Sequence, residues 1–248
     1  MKLKKNTAAL TVAASLLLTA CASTGPTTST AQAGGADAGA SASSSRNPRD
    51  PFEGFNRAMF SFNDTLDRVA LKPAAQVYQS VLPSFVQTGI GNFFSNIGDV
   101  WNAVNNLLQG KGGDGISDVF RVAVNTTFGL GGLLDIATEA GMPKHKEDFG
   151  QTLGTWGVKS GPYVVLPIFG SSTLRDALAT PVDIYGDPWA YVYPISYRNT
   201  GTAVRLVDKR AAVLDAGNLI EEASLDKYVF FRDAYLQRRA AQINGDDE

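Results

Sequence analysis

The feature that most restricts the fold of this chain is the absence of charge along stretches that are nevertheless polar. Between Lys72 and Asp99 no residue is ionisable except tyrosine, and the same holds from Ser160 to Leu174. Their Gln, Asn, Ser, Pro and Gly make both stretches too polar and too interrupted for lipid-facing transmembrane helices. They are also too uncharged for an ordinary surface in water. Two interpretations remain: the core of a soluble protein, or helices that lie in a lipid interface or line a passage in a membrane.

Helical periodicity begins soon after Asn47. Large apolar residues recur at steps of three and four from Phe52 to Val69, which predicts a helix with one apolar stripe. Asp50 is the predicted N-cap of this helix, and Pro51 is its predicted first helical residue.

Further helical segments are predicted from the same kind of pattern. They are a short helix or turn between Pro73 and Pro83, a helix from Ser84 to Gln109 that Gly89, Gly91 and Gly98 interrupt, a helix from Ile116 to Thr127 with Val119, Val122 and Ala123 facing inward, and one bent helix or two from Thr202 to Ile243, broken near Gly217 or Ser224. No sustained two-residue alternation precedes Pro162. We therefore expect an all-α fold with irregular stretches around the glycines.

The N-terminus has the layout of an export signal. Three lysines within the first five residues precede an uncharged, mostly apolar stretch (8–18) that is too short to span a bilayer. The sequence Leu18-Thr19-Ala20-Cys21 then resembles a lipobox, so we expect residues 1–20 to be removed and Cys21 to be the lipid attachment site. Cys21 is the only cysteine in the chain. The alternative is an ordinary secretory signal followed by a chance cysteine.

The segment after the predicted cleavage site is composed largely of small residues. Residues 22–45 are mostly Ala, Ser, Thr and Gly, which cannot offset their ordering entropy by burial. We predict that 21–46 are the lipidated cysteine and a flexible tether, and that 47–248 are a single helical domain. Loss of 1–20 would leave 19 basic and 24 acidic residues (22 − 3 = 19). This acidic balance argues against a nucleic-acid partner.

Three motifs carry a resemblance to a known family. They are NPRDPFEGFNR at 47–57, NTTFGLGGLLD at 125–135 and EDFGQTLGTWG at 147–157, the last continuing through GPYVVLP at 161–167 to Arg175-Asp176. Together they resemble the MlaA (VacJ) family of outer-membrane lipoproteins. The resemblance implies amphipathic helices arranged as a ring around a central polar channel, embedded in one leaflet of the outer membrane.

The resemblance also implies a function and partners. Family members pass phospholipids mislocalised in the outer leaflet to a soluble periplasmic lipid carrier, and they often bind trimeric porins. Ala22-Ser23 follows the cysteine where an Asp would indicate inner-membrane retention. We therefore expect a lipid-anchored protein on the periplasmic face of the outer membrane.

A glycine-rich motif is the first candidate site. Gly129, Gly131 and Gly132 each cost about 1 kcal/mol relative to Ala inside a helix, so they predict a bend. The bend is either a hinge between two helices or a simple tight turn. Together with Asp135, these glycines are the hinge or channel candidates.

A second candidate site is cationic. Arg232 falls near the middle of a broad apolar helical face, where its guanidinium needs a partner. That partner is either an acidic residue of another helix or a phospholipid phosphate, which guanidinium suits well. Arg175 and Lys159 are weaker candidates for the same head-group role.

Catalytic motifs are missing from the sequence. The only histidine, His145, lies among charged residues, no Gly-x-Ser-x-Gly motif occurs, and no cluster has metal-ligand spacing. We expect no enzyme activity, no cofactor and no metal. The expected function is a passive phospholipid conduit that maintains lipid asymmetry; the alternative is a non-catalytic structural or adhesin lipoprotein.

Overall fold

The structure is a computed structural model that describes residues 47–245. The predicted signal peptide, Cys21 and the tether lie outside the described residues, so their boundaries stay predictions. The elements in chain order are α1 Glu53–Leu66, a π-helical turn Asp67–Leu71, α2 Lys72–Val81, α3 Ser84–Leu108, α4 Gly112–Thr127, α5 Ile136–Glu139, α6 Phe149–Thr155, β1 Tyr163–Leu166, β2 Gly170–Thr173, α7 Leu174–Gly186, a 3-10 turn Pro188–Tyr191, α8 Ile195–Ala211, α9 Leu214–Ala223 and α10 Lys227–Asn244.

The predicted first helix is confirmed, but its predicted cap is wrong. α1 begins at Glu53, two residues after the predicted first helical residue Pro51, and Phe52, which precedes it, makes no capping hydrogen bond with its side chain. The Asp50 carboxylate instead points into the protein, where it accepts hydrogen bonds from Asn56 and Tyr228. These interior donors hold the carboxylate away from the helix terminus.

The helices around Pro73 and Pro83 also follow the prediction in part. α2 begins at Lys72, has Pro73 in its first turn and ends at Val81, and α3 follows Pro83. The glycines of α3 were expected to interrupt it, yet the helix is continuous. At Gly91 the glycine has a packing role instead, because a Cβ there would lie 3.3 Å from the Asp208 carboxylate of α8. The glycine lets α8 approach closely.

α4 has the opposite orientation to the one predicted. Val119 is 53% exposed and Ala123 is also exposed, whereas Asp118, Arg121 and Asn125 are buried. The helix is amphipathic as expected, but its polar face points inward. The prediction that Val119, Val122 and Ala123 face inward is therefore wrong, Val122 being half-buried. The pattern of residues identifies two faces without saying which of them meets solvent.

The C-terminal part contains three helices where one or two were predicted. The break at Ser224 is confirmed, since α9 ends at Ala223. The break at Gly217 is wrong, because this glycine lies inside α9 and the other break falls between α8 and α9.

A short hairpin is the exception to the helical fold. β1 and β2 pair antiparallel, with Tyr163 opposite Thr173 and Leu166 opposite Gly170. Tyr163 and Val165 point inward and pack on Tyr228 of α10. Through the whole range from 47 to 245, no helix combines the length and the apolar character that crossing a membrane requires.

Candidate functional site

The interior of the protein is polar. Among the largest fully buried side chains in the described part of the chain, only Tyr163 and Val165 are apolar, and the rest are polar or charged. Many large apolar residues lie on the outside instead, including Phe85 of α3 at 75% exposed and Val69 at 73%. This is the reverse of the distribution that water favours.

Asp50 is the centre of the first buried polar cluster. Its carboxylate accepts from Asn56 Nδ2 at 2.8 Å, from the Tyr228 hydroxyl, and from Arg232 Nη1 at 3.3 Å. Asn56 in turn donates to the Tyr163 carbonyl at 3.0 Å. Burial, followed by the hydrogen bond to Asp50, raises the pKa of Tyr228, which keeps its hydroxyl a donor. The cluster joins the N-terminal segment, the hairpin and α10.

A second cluster joins the beginning of α6 to α7 and α10. Arg239 Nε donates to Asp176 Oδ2 at 3.0 Å, and the Tyr235 hydroxyl donates to the same oxygen at 2.7 Å. Arg175 Nε donates to the other Asp176 oxygen at 2.9 Å. Burial alone would raise the pKa of Asp176, but the hydrogen bond and charge of Arg239 and the Tyr235 hydrogen bond lower it to about 2. The carboxylate is therefore charged and saturated with donors.

A third cluster lies where α4 meets α5. Arg121 Nη2 lies 3.1 Å from Asp135 Oδ1, and Asn125 Nδ2 donates to that oxygen at 2.9 Å. Asp135 also caps α5, because its carboxylate accepts from the Thr138 amide at 3.2 Å. Burial opposes ionisation of Asp135, yet hydrogen bonds from Thr138 and Asn125 and the Arg121 charge lower its pKa to about 2.

Four cavities surround the turn of the hairpin; we call them the central cavities. Their volumes are about 690, 530, 440 and 210 Å³. Neighbouring cavities share lining residues, so they follow one another around the turn. The cavities of about 690 and 210 Å³ share Phe169, Thr180 and Asp183, and those of about 210 and 530 Å³ share Ser171. The cavities of about 530 and 440 Å³ share Asn63 and Asp67, and those of about 440 and 690 Å³ share Leu206.

Asn63 of α1 holds the hairpin turn among these cavities. Its Oδ1 accepts from the Ile168 amide at 2.7 Å, and its Nδ2 donates to the Leu166 carbonyl at 2.9 Å. Ile168 has a φ of 70°, a conformation that β-branched residues rarely adopt. The side chains of Ile168 and Phe169 are both exposed, and each lines a central cavity.

The predicted glycine bend forms a closed turn after α4. The Gly131 amide donates to the Thr126 carbonyl at 3.1 Å, and the Gly132 amide donates to the Asn125 carbonyl at 2.9 Å. Gly131 and Gly132 have φ values of 75° and 93°, a backbone conformation that glycine adopts more readily than any other residue. A Cβ on Gly129 would collide with backbone carbonyls. None of these residues, nor Asp135, lines a central cavity, and a hinge role stays a prediction.

The predicted head-group residues are not brought together. Arg232 pairs with Asp50 and with Asp233 at 2.8 Å. Both partners are acidic as the ion-pair alternative expected, but neither belongs to another helix, because Asp50 precedes α1 and Asp233 lies on α10 itself. Arg175 is buried against Asp176, whereas Lys159 lies exposed in the loop after α6. None of the three lines a central cavity. Their contact with phospholipid stays a prediction.

Sequence reasoning missed three cationic residues of α8. Arg198, Arg205 and Lys209 all line the largest central cavity. Their spacing of seven and four residues puts them on one helical face, and this signal was present in the sequence.

The only histidine bridges two carboxylates without forming a metal site. His145 Nδ1 lies 3.1 Å from Asp118 Oδ1, and its Nε2 lies 3.7 Å from Asp114 Oδ1. Burial raises the pKa of Asp118. Within residues 47–245 no group of three or more His, Cys, Asp or Glu side chains is arranged to hold a metal ion.

These features define a class of protein: a helical domain with a polar, cavity-containing interior and an apolar outer surface. Comparison with known proteins identifies its family. Residues 48–242 match the family model described as MlaA lipoprotein, and the chain belongs to this family. The resemblance of the three sequence motifs is thereby confirmed.

The relatives include proteins of named and of unassigned function. The chain is 35% identical over 201 residues to the intermembrane phospholipid transport system lipoprotein MlaA of Escherichia coli, with 79% of each chain covered. It is 33% identical over 207 residues to the protein of that name in Haemophilus influenzae, again with 79% of each chain covered. An uncharacterised protein of Rickettsia felis is 36% identical over 195 residues, with 78% of each covered.

A solved structure also resembles this fold. It was described under the heading of the structural basis for maintenance of bacterial outer membrane lipid asymmetry, and it is 36% identical. The TM-score is 0.69, and the match covers 78% of this chain and 98% of the other. The helical fold class is thereby confirmed, with the hairpin as its exception.

Proposed function

We propose that this protein transports phospholipids: it is a passive conduit that removes mislocalised phospholipid from the outer leaflet of the outer membrane and passes it to a periplasmic carrier. The observation that carries this proposal is the inverted distribution of residues, with buried ion pairs inside and large apolar side chains outside. The transport function named for the relatives in E. coli and H. influenzae supports it.

The polar interior would lower the main energetic cost of lipid transfer, which is moving a charged head group through hydrocarbon. A charged group at the middle of about 30 Å of hydrocarbon costs from about 3 to more than 10 kcal/mol. The central cavities combine both kinds of lining: Asp183 and Arg198 are charged, whereas Ile184 and Leu206 are apolar. A head group therefore finds polar partners while its acyl chains contact apolar side chains.

The apolar exterior supports a position in one leaflet of the outer membrane. Phe55 and Phe62 of α1 and Phe85 of α3 are at least half exposed, and burying such side chains in hydrocarbon is favourable. Lipidation at Cys21 would add an anchor of about 0.8 kcal/mol per buried CH₂. We place the domain on the periplasmic face, with the anchor in the inner leaflet.

Partners follow from the direction of transport. A passive conduit has no energy source of its own, so a downstream acceptor must set the direction; we propose a soluble periplasmic lipid carrier for that role. The exposed apolar surface would also suit a trimeric porin. No catalytic step enters this account.

Native mass spectrometry of the detergent-extracted, full-length lipoprotein tests the proposal. We expect phospholipid to remain bound to the protein and a porin to co-purify with it. Protein free of phospholipid under conditions that preserve other lipid complexes would contradict the conduit and favour a structural or adhesin lipoprotein.

Fluorescence tests the membrane position separately. Phospholipids brominated along the acyl chains quench tryptophans that lie within hydrocarbon. Trp156 is 54% exposed, so in single-tryptophan variants it should be quenched by those lipids more strongly than Trp189, which lines a central cavity. Equal absence of quenching at both positions would contradict embedding.

A further inference from the structure

One wall of the largest central cavity carries a row of cations. Arg198, Arg205 and Lys209 lie on the same face of α8 and line this cavity, whose volume is about 690 Å³. Asp183 and Asp187 are its acidic lining residues. We call this space the α8 cavity. It therefore holds one more cation than anions.

Both arginines of the α8 cavity have protein partners. Arg198 Nη1 donates to the Ala190 carbonyl at 3.2 Å. Arg205 forms an ion pair with Asp187, and its guanidinium lies 5.7 Å from the centre of the Phe94 ring. These contacts fix the two arginines against the wall.

Lys209 differs from its neighbours. Within the described residues, 47–245, it makes no hydrogen bond and no ion pair. Neither acidic residue of the cavity is its partner: Asp187 pairs with Arg205. Asp183 Oδ1 accepts hydrogen bonds from Trp101 Nε1 and from the Phe149 amide, both at 2.8 Å. The Lys209 side chain is open to the cavity. Because Lys209 is exposed, its ammonium is accessible to an incoming ligand.

The surroundings of Lys209 favour an incoming anion. Lys209 is exposed, yet partial desolvation of its ammonium, and then the positive charges of Arg205 and Lys146, lower its pKa, and these effects outweigh the opposing charges of Asp187 and Asp208. An anion in the cavity would reverse that balance, because it stabilises the protonated amine.

The remaining lining suits an amphiphile better than a free ion. Ile184, Leu206 and Phe169 supply apolar surface, and Trp189 adds an indole ring. We propose that Lys209 binds the phosphodiester of a phospholipid in the α8 cavity, with Arg205 one helical turn away, and that the excess cation makes the site prefer net-anionic to zwitterionic head groups. This inference rests on the proposed function and names the head-group class that the conduit prefers.

A binding experiment tests this site on the full-length lipoprotein, extracted in non-ionic detergent and stripped of lipid. Dihexanoyl phosphatidylglycerol and dihexanoyl phosphatidylethanolamine are titrated by calorimetry. We expect wild type to bind phosphatidylglycerol more tightly. Lys209→Gln should weaken that binding about tenfold, and Lys209→Arg should retain it within about threefold.

Arg238→Gln is the control, because it also removes one positive charge, at an exposed position of α10 outside the α8 cavity. It should bind like wild type. Lys209→Gln is compatible with folding, since no protein partner loses a contact. Wild-type affinity in folded Lys209→Gln, or equal loss in Arg238→Gln, overturns the assignment.

Two further arms separate the alternatives. Inorganic phosphate that competes with phosphatidylglycerol at similar concentrations would overturn a lipid site in favour of a free-anion site. Equal affinity for both lipids in wild type would overturn the head-group preference. Wild type that binds neither lipid would contradict the proposed function itself, whereas binding that ignores Lys209 contradicts only this inference.

Discussion

Arg239 and Asp148 form a doubly hydrogen-bonded ion pair, with Nη1 2.6 Å from Oδ2 and Nη2 2.6 Å from Oδ1. The pair joins the last helix to the residue that caps α6 through the Gln151 amide. Gly150 makes room for it, because a Cβ there would lie 2.5 Å from Arg239 Nη2. Gly150, the first of the three glycines in the EDFGQTLGTWG motif, thus leaves room for this ion pair.

Removing this arginine should destabilise the domain strongly. Arg239 is buried and pairs both with the partly exposed Asp148 and with the buried Asp176. Its loss leaves the Asp176 charge compensated by Arg175 alone, so we expect Arg239→Gln to lower the free energy of unfolding by about 3 kcal/mol. The neighbouring, exposed Arg238 offers a control, and Arg238→Gln should change it by less than about 0.5 kcal/mol. Urea unfolding followed by circular dichroism measures both. Similar stability of the two variants would show that the pair contributes little.

Acid should weaken the folded domain between about pH 4 and pH 2. Asp135 and Asp176 have folded-state pKa values of about 2, below the unfolded value of about 3.9. A depressed folded pKa adds stability above the unfolded pKa, and this is lost as pH falls towards the folded pKa. Each carboxylate should account for about 2 kcal/mol.

Thermal unfolding at pH 6 and pH 3 measures this effect. Asp135→Asn should lower the unfolding temperature at pH 6 and reduce the difference between the two pH values, because one titrating group is gone. Asp215→Asn, at an exposed position of α9, should leave the difference unchanged. A wild-type unfolding temperature that is independent of pH over this range would contradict the assignment.

The three glycines of the turn after α4 should differ in their tolerance of alanine. Gly129→Ala should be the most damaging, because the added Cβ meets backbone carbonyls that cannot move aside. Gly132→Ala combines a positive φ with a Cβ 2.7 Å from Asn96 Nδ2, whereas Gly131→Ala meets nothing within 4 Å. The cost of Gly131→Ala is therefore the left-handed backbone conformation alone, about 1–2 kcal/mol.

Transport by the mildest variant then distinguishes a hinge from a passive turn. A folded, anchored Gly131→Ala protein with altered lipid passage would support the hinge, and wild-type passage would support the turn. The unfolding temperature should be highest for Gly131→Ala, lower for Gly132→Ala and lowest for Gly129→Ala. A different order would contradict the geometry of the turn.

The predicted anchor depends on one residue. Cys21→Ser removes the thiol that receives the lipid, so we expect an uncleaved precursor at the inner membrane. Membrane fractionation with an antibody against the domain measures this. Normal sorting of the variant to the outer membrane would contradict the lipoprotein assignment.

Helices could be predicted from the sequence, but their orientation could not. The periodicity from Phe52 to Val69 identified α1, and the apolar positions of α4 identified a helix with two faces. Periodicity reports where the faces are and not which solvent each face meets. Val119 was therefore placed inside by the convention of water-soluble proteins.

Neither the hairpin nor the position of Lys209 at a cavity could be predicted from the sequence pattern, for different reasons. β1 and β2 have four residues each, which is too short for alternation to be distinguished from chance. Lys209 is unusual only because Asp183 and Asp187 are engaged by other groups, and such pairing depends on tertiary contacts. The spacing of the three α8 cations was visible, but the cavity beside them was not.

Outer-leaflet phospholipid in living cells tests the central claim most directly. It is compared between a strain that lacks this protein, the strain complemented with wild type, and the strain complemented with Cys21→Ser, using an outer-membrane acyltransferase or phospholipase that acts only on misplaced phospholipid. The account predicts accumulation in the deletion strain, reversal by wild type and no reversal by Cys21→Ser. Unchanged outer-leaflet phospholipid in the deletion strain, with no redundant pathway active, would contradict it.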